Sequence, residues 1–458
     1  MTAIDLSVRP TPGAPRAYSF PAFESVTLPN GLRVVVAPQR KLPLVTVLAL
    51  VDAGSVADPV GQEGVAQLTA SLLTEGTGEL TSAALAELVE LMGSSLDSGA
   101  DWDSSVVKLT TLSSRLPDAI SVLARVLTEP SLPDDEFQRL RTERLADLLQ
   151  QRSEPRSLAD EAFAQVIYAP GARYAKPDGG TEQSVRSLTL EQLRAFHADR
   201  YSPVVTTVVL VGDVSVDEGV AMVTRVLGGW TGTRPADSPA PDSTLSSARG
   251  VRIVRKVDAP QSELRVGHVG PARLTPDYFP LVLCNAILGG LFSSRLNLNL
   301  REEHAYTYGA HSGFDWRRWA GPFSMDAAVQ SDVSAKAVRE ILNEFEKIRS
   351  EPVTTSELSL AQSYLDGVFP IRFETTRAIA SALASQSIFG LPVDYYDTYR
   401  ASIRAVTAEQ ILSAAQTYLD PSRLQVVAVG DSEAISADLE ALGVGAVTVT
   451  DPVDTLGQ

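Results

Sequence analysis

Chemistry-bearing side chains are few and scattered in this chain. Its four histidines are His197, His268, His304 and His311, so residues 1–196 contain none. Two imidazoles that share a zinc ion from one helix sit about one turn apart. His304 and His311 are seven residues apart and do not form such a pair. Cys284 is the only cysteine, which excludes an intrachain disulfide. It lies in the apolar run Leu281-Val282-Leu283-Cys284 and reads as a buried core thiol rather than a nucleophile. Gly289-Gly290 has no following Lys or Gly-x-Gly, so it predicts a close backbone approach ahead of a helix over Ser293–Leu300, not a phosphate loop. Trp316, Arg317, Arg318 and Trp319 form a basic, aromatic cluster in an acidic chain. It reads as a local hairpin with a solvated basic tip, with a peptide channel or a partner surface as the alternative.

A second group of residues depends on a helix. Val65, Leu68 and Leu72 recur at i, i+3 and i+7 and make a core-facing stripe. Gln67, Ala70, Ser71 and Thr74 then fall on a different face, which offers an amide, a methyl and hydroxyls.

These elements belong to a repeat. Thr189-Leu190-Glu191-Gln192-Leu193 returns as Thr407-Ala408-Glu409-Gln410-Ile411, Pro203 as Pro421, and Val211-Gly212-Asp213 as Val429-Gly430-Asp431. Earlier in each half, Ser98-Gly99-Ala100-Asp101-Trp102 returns as Ser312-Gly313-Phe314-Asp315-Trp316. The shared order implies two homologous halves. Residues 1–235 form the first and 251–458 the second, joined by a linker at 236–250 within the Pro-, Ser- and Asp-rich stretch 232–250. Strands are expected at 32–36, 45–51, 206–211 and 424–429. Helices capped by Thr189 and Thr407 precede the closing strand of each half. The fold class is α+β, each half a largely antiparallel sheet covered by helices.

The 458 residues carry a net charge of −17, which disfavours nucleic-acid and anionic-membrane partners. Met1 to Phe20 lacks an apolar stretch of signal-peptide length, and no fully uncharged apolar window of spanning length is evident. The expectation is a soluble, cytoplasmic protein.

From about Thr27 to Gly430 the chain resembles the pitrilysin, insulin-degrading-enzyme and mitochondrial-processing-peptidase family. That family is built from paired α+β halves, and its catalytic half carries Gly-x-Ala-His-x-x-Glu-His with an acidic ligand downstream. The matching stretch here is Gly64-Val65-Ala66-Gln67-Leu68-Thr69-Ala70-Ser71. Gln67 and Ser71 stand at the histidine positions, Ala70 at the catalytic glutamate, and Asp147 about where the third ligand falls. An amide and a hydroxyl are poor zinc ligands, and a methyl cannot take a proton from metal-bound water. The second half keeps another part of the pattern: Gly289-Gly290, Ser293-Ser294-Arg295-Leu296, Leu300-Arg301-Glu302 and, seven residues after Arg301, Tyr308. The resemblance implies that Arg301 and Tyr308 hold substrate backbone near a metal and stabilise the oxyanion. Arg301 is expected at a helix end and Tyr308 in an alternating strand, with Tyr306 as the register rival on the same face.

The resemblance implies a non-catalytic subunit with no metal of its own. It would pair with a homologous zinc-bearing subunit to cleave peptides or unfolded segments, inactive alone and active as a complex. The alternatives are an inert scaffold subunit and a peptide-delivery partner in the maturation of a peptide-derived natural product.

Overall fold

The computed structural model describes residues 17–244 and 248–452. Most of the N-terminal segment read above for a signal peptide, and part of the linker, lie outside these residues.

The first half contributes strands β1 (Glu24–Thr27), β2 (Arg33–Pro38), β3 (Leu44–Val51), β4 (Ser95–Ala100), β5 (Ser105–Leu112) and β6 (Thr206–Gly212). They form one sheet in the order β1-β2-β6-β3-β5-β4, antiparallel except for β2 against β6. The second half contributes β7 (Gly250–Arg255), β8 (Gln261–Val269), β9 (Ala310–Phe314), β10 (Pro322–Gln330), β11 (Gln425–Gly430) and β12 (Ala446–Thr450). Their order is β9-β10-β8-β11-β7-β12. Five positions match between the sheets, including the parallel pair, β2 with β6 and β7 with β11. The sixth differs: the edge beside β2 is an antiparallel strand from the N-terminal end, and the edge beside β7 is a parallel strand from the C-terminal end. Two homologous halves of largely antiparallel sheet are therefore present, with the repeated Ser-Gly-x-Asp-Trp leaving edge strands β4 and β9.

The central strands are buried along their length, as β6 and β11 show, because helices cover both faces. One core lies under each sheet. Thr189 and Thr407 cap their helices through reciprocal capping boxes with Gln192 and Gln410. The described residues from 230 to 249 hold no helix or strand.

The second face of each sheet is covered by a helix from the other half. Pro155–Ile167, from the first half, packs on β8, β11 and β7. Its Leu158, Ala162, Phe163 and Val166 share a core with Val254, Val269, Val427 and Val429. Thr376–Ile388, from the second half, packs on β3 and β6. Its Ile379, Ala380 and Leu383 share a core with Val35, Leu48, Val209 and Val211. The halves are interlocked by exchange of these helices.

The segment Tyr278–Glu303 is long and apolar enough to cross a membrane, but half of its most apolar window is buried. Leu283, Leu288, Leu296 and Leu300 face the second core. Cys284 is buried there too, and burial pushes its thiol up to about 12.

Candidate functional site

The predicted helix over the degenerate motif is Val65–Leu72. Its N-cap is Gly64 at φ 97, and a Cβ there would lie 2.7 Å from the Gly179 carbonyl oxygen, so only glycine fits. The first helical N–H groups need acceptors. Asp58 supplies them, accepting from Gly64 N at 2.7 Å and Ala66 N at 3.0 Å. Arg173 pairs with Asp58 at 2.8 Å and donates also to the carbonyls of Ser55, Pro177 and Asp178. Burial nonetheless pushes the Asp58 carboxyl up to about 6.

Val65, Leu68 and Leu72 enter the first core as the periodicity requires. Ala70 is buried, and its carbonyl accepts from Ser98 Oγ on β4 at 2.7 Å. Gln67 is half-buried, and its Oε1 has no hydrogen-bond partner among the described residues. Ser71 is half-buried. The helix Asp134–Gln151 packs against this one with Leu148 turned inward, while Asp147 is exposed. Amide, methyl and hydroxyl thus stand where zinc chemistry needs two imidazoles and a carboxylate, and the acidic candidate faces solvent. This donor set does not fit a catalytic zinc ion.

The histidines do not compensate. His268 is fully buried between the Val269 carbonyl and the Asp420 N–H, and burial pulls its imidazole down to about 4. His197 bonds the Leu127 carbonyl, His304 stacks on Tyr306, and His311 lies exposed on β9. Among the described residues, no group of three or more His, Cys, Asp or Glu side chains is arranged to hold a metal ion.

The second half presents a different surface. Gly289 permits the expected close approach: a Cβ there would meet Ser312 N at 2.4 Å. The helix that follows is shorter than predicted, Arg295–Asn297, and widens into a π-turn over Leu298–Glu303. Such widened turns recur at functional sites. Arg301 occupies this turn with its side chain 36% exposed, its guanidinium 4.6 Å from the Phe292 ring centroid and 3.5 Å from Glu302.

Tyr308 does not lie in a strand. Ala305 turns the chain at φ 54, and Thr307 Oγ1 donates to the Gly309 and Ala328 carbonyls, so β9 begins only at Ala310. The loop is anchored at its base by Asn297, which accepts from Ala310 N and donates to the Ala310 carbonyl. Tyr308 is 93% exposed, and its hydroxyl finds no partner among the described residues. Tyr306, the rival, is half-buried, stacks on His304 and packs against the second core. Exposure therefore separates the two tyrosines.

Two features escaped the sequence. Phe292 and Leu298 are 72% and 51% exposed and border Arg301 along the chain. The available signal was Phe292, a large apolar side chain between Gly-Gly and Ser-Ser. The basic cluster is indeed a hairpin between β9 and β10, but its tip is not solvated. Arg317 is buried against Trp102 and Tyr174, paired with Asp315, and Arg318 bonds Asp103 and Asp52. The cluster joins the halves.

Comparison with known proteins agrees with this geometry. The insulinase (peptidase family M16) model matches residues 33–172, and the peptidase M16 inactive domain model matches 187–365. The chain belongs to the insulinase (M16) family. It is a member without the catalytic motif. A crystal structure of a peptidase M16 inactive domain from Pseudomonas fluorescens is 27% identical, with a TM-score of 0.84 over 90% of this chain and 99% of that one. A Helicobacter pylori protease shares the fold at 20% identity, with a TM-score of 0.82 over 89% of this chain and 99% of that one. Among curated relatives, an uncharacterised zinc protease of Mycobacterium tuberculosis (strain H37Rv) is 25% identical over 83% of this chain and 86% of its own. A Helicobacter pylori protein named a non-peptidase homolog is also 25% identical, over 76% of this chain and 79% of its own.

Proposed function

We propose that this chain is the non-catalytic, substrate-binding subunit of a heterodimeric zinc metallopeptidase that cleaves peptides or unfolded segments. Its zinc sits on a homologous partner subunit, and Arg301 and Tyr308 complete the active site from this side. The observation that supports this reading is the exposure of Tyr308 on an anchored loop, its hydroxyl unused within the fold, in a chain whose zinc helix has lost every ligand. Guanidinium and phenol donors suit a substrate carbonyl or the oxyanion formed when a partner's zinc-bound water attacks it. The test mixes the chain with a homologous subunit carrying His-x-x-Glu-His and follows complex size and peptide cleavage. A complex that forms and cleaves, while neither subunit cleaves alone, supports the proposal.

A scaffold role is the second reading, favoured by the relative named a non-peptidase homolog. It takes over if the complex assembles and cleavage is indifferent to Arg301 and Tyr308.

A further inference from the structure

A cavity of about 410 Å³ between the halves and the exposed surface around Phe292 offer apolar contact but no committed chemistry. A cavity of about 350 Å³ in the second half does offer it.

Its walls include Arg273, Arg372, Tyr278, Phe369, Phe389 and Tyr399, and no Asp or Glu. In a chain of net charge −17, this is a local cationic concavity. Arg273, in the loop after β8, is only 7% exposed. Its guanidinium carbon lies 3.6 Å from the Tyr278 ring centroid and 5.2 Å from that of Tyr395. Nη2 donates to the Tyr395 hydroxyl at 2.7 Å, and no carboxylate pairs with Arg273 among the described residues. A guanidinium carries five N–H donors, and a buried cation without an anion is costly. The aromatic faces offset part of that cost. The donors not engaged by Tyr395 are left to the cavity that Arg273 lines.

Arg372, exposed at the end of the helix Thr355–Arg372, adds a second cation to the same wall. It sits against the Tyr399 phenol, which burial pushes up to about 12, so that hydroxyl stays neutral. A neighbouring cavity of about 300 Å³ shares Tyr278, Arg372 and Tyr399 with this one and extends the space.

We propose that this cavity binds an organic carboxylate with an aromatic or branched apolar body. The carboxylate would take the free donors of Arg273 in the forked geometry that a guanidinium prefers. The apolar body would lie among the phenylalanine and tyrosine rings. The volume falls in the range of about 300–1,000 Å³ of small-molecule sites. Two sources share this chemistry: a free small acid and the C-terminal carboxylate of a peptide.

The test uses the full chain alone, so it is independent of any partner subunit. Calorimetric titrations compare N-acetyl-phenylalanine, its C-terminal amide, a hexapeptide ending in phenylalanine with a free carboxylate, and inorganic phosphate. The expected result is that the free acid or the peptide binds and the amide binds at least tenfold more weakly. Arg372→Gln and Arg273→Lys should each weaken carboxylate binding by a similar factor. Tighter binding of the peptide identifies a peptide terminus, and tighter binding of the acid a free small molecule. If Arg273→Lys lowers the melting temperature sharply, Arg372→Gln and the amide comparison decide. Equal binding of acid and amide, no binding of either carboxylate, or binding of phosphate alone overturns the proposal.

Discussion

The Arg317 guanidinium of the second half lies 4.2 Å from the Trp102 ring centroid of the first. Next to it, Arg318 Nη2 reaches Asp52 at 2.8 Å and Arg318 N reaches Asp103 at 2.9 Å. These contacts lie beside the two copies of the Ser-Gly-x-Asp-Trp repeat, so duplication has placed the joint between the halves at equivalent corners. A partly desolvated cation–π contact contributes on the order of 2 kcal/mol. Trp102→Ala also deletes an indole packed on Tyr174, so the loss should reach about 2–4 kcal/mol, read as a lower denaturant midpoint. A midpoint within error of wild type would remove this joint from the stability argument.

Helix exchange sets the behaviour of a nicked chain. A protease should cut first in the Pro-, Ser- and Asp-rich stretch 232–250, yet the two fragments should co-elute as one species. Separating them would bare the sheet faces holding Val427 and Val429 on one side and Val209 and Val211 on the other. At roughly 25 cal/mol per Å² of apolar surface, that exposure is prohibitive. Two folded fragments that separate on size-exclusion chromatography would contradict the interlock.

For the metal, the expected outcome is less than stoichiometric zinc in the purified chain and no cleavage of peptides by the chain alone. The reason is Gln67, Ala70 and Ser71 at the ligand and base positions, with Asp147 turned to solvent. Elemental analysis that found one tight zinc per chain, lost on mutating Gln67 or Asp147, would reverse this reading.

Strand positions were legible because the runs 45–51 and 206–211 are β-branched and apolar, and both cross the sheet where two faces are buried. The capped helices were legible because a capping box is local. The exchange of helices was not. Leu158, Phe163 and Ile379 announce apolar faces but not which sheet receives them. Arg317 and Arg318 read as solvated because a hairpin tip was judged by its neighbours in sequence, whereas Trp102 and Asp103 lie more than 200 residues away. Tyr308 read as strand because alternation cannot reveal that Ala305 adopts a positive φ or that the Thr307 side chain takes the Ala328 carbonyl.

Stability should carry a pH dependence traceable to Glu161. Burial in the exchanged helix pushes its carboxyl up to about 7, against the attraction of Arg144 and Arg152 and with the repulsion of Asp160. The folded-state value lies above the unfolded one, so the protonated form is favoured on folding. That contribution is complete below about pH 4.5 and is lost as pH rises through about 7. Glu161→Gln should therefore remove up to about 3 kcal/mol of the stability change across this range. His268 acts in the opposite sense between about pH 4 and 6.5, since its imidazole is held down to about 4, and it contributes equally to both profiles. The wild-type and Glu161→Gln profiles should thus diverge between about pH 4.5 and 7 and run parallel above that. Parallel profiles from pH 5 to 8 would show that Glu161 titrates as an ordinary surface carboxylate.

The strongest prediction concerns Tyr308 and Arg301 in the assembled complex. Tyr308 is 93% exposed, so Tyr308→Phe removes a hydroxyl that the fold does not use, and the melting temperature should not move. Losing one well-placed donor to a developing oxyanion typically costs a factor of ~10²–10³ in turnover. Tyr308→Phe should lower kcat and kcat/KM by about that factor, since the donor is needed most in the transition state. Arg301 differs in being a permanent cation stacked on Phe292, available to substrate before any charge develops. Arg301→Ala should therefore raise KM as well as lower kcat, and Arg301→Lys should recover part of the binding loss through its charge but not its forked hydrogen bonding. Complex size, measured on the same samples, separates a catalytic effect from failed assembly. Variants that assemble normally and cleave at the wild-type rate would assign the active site wholly to the partner and leave this chain a scaffold.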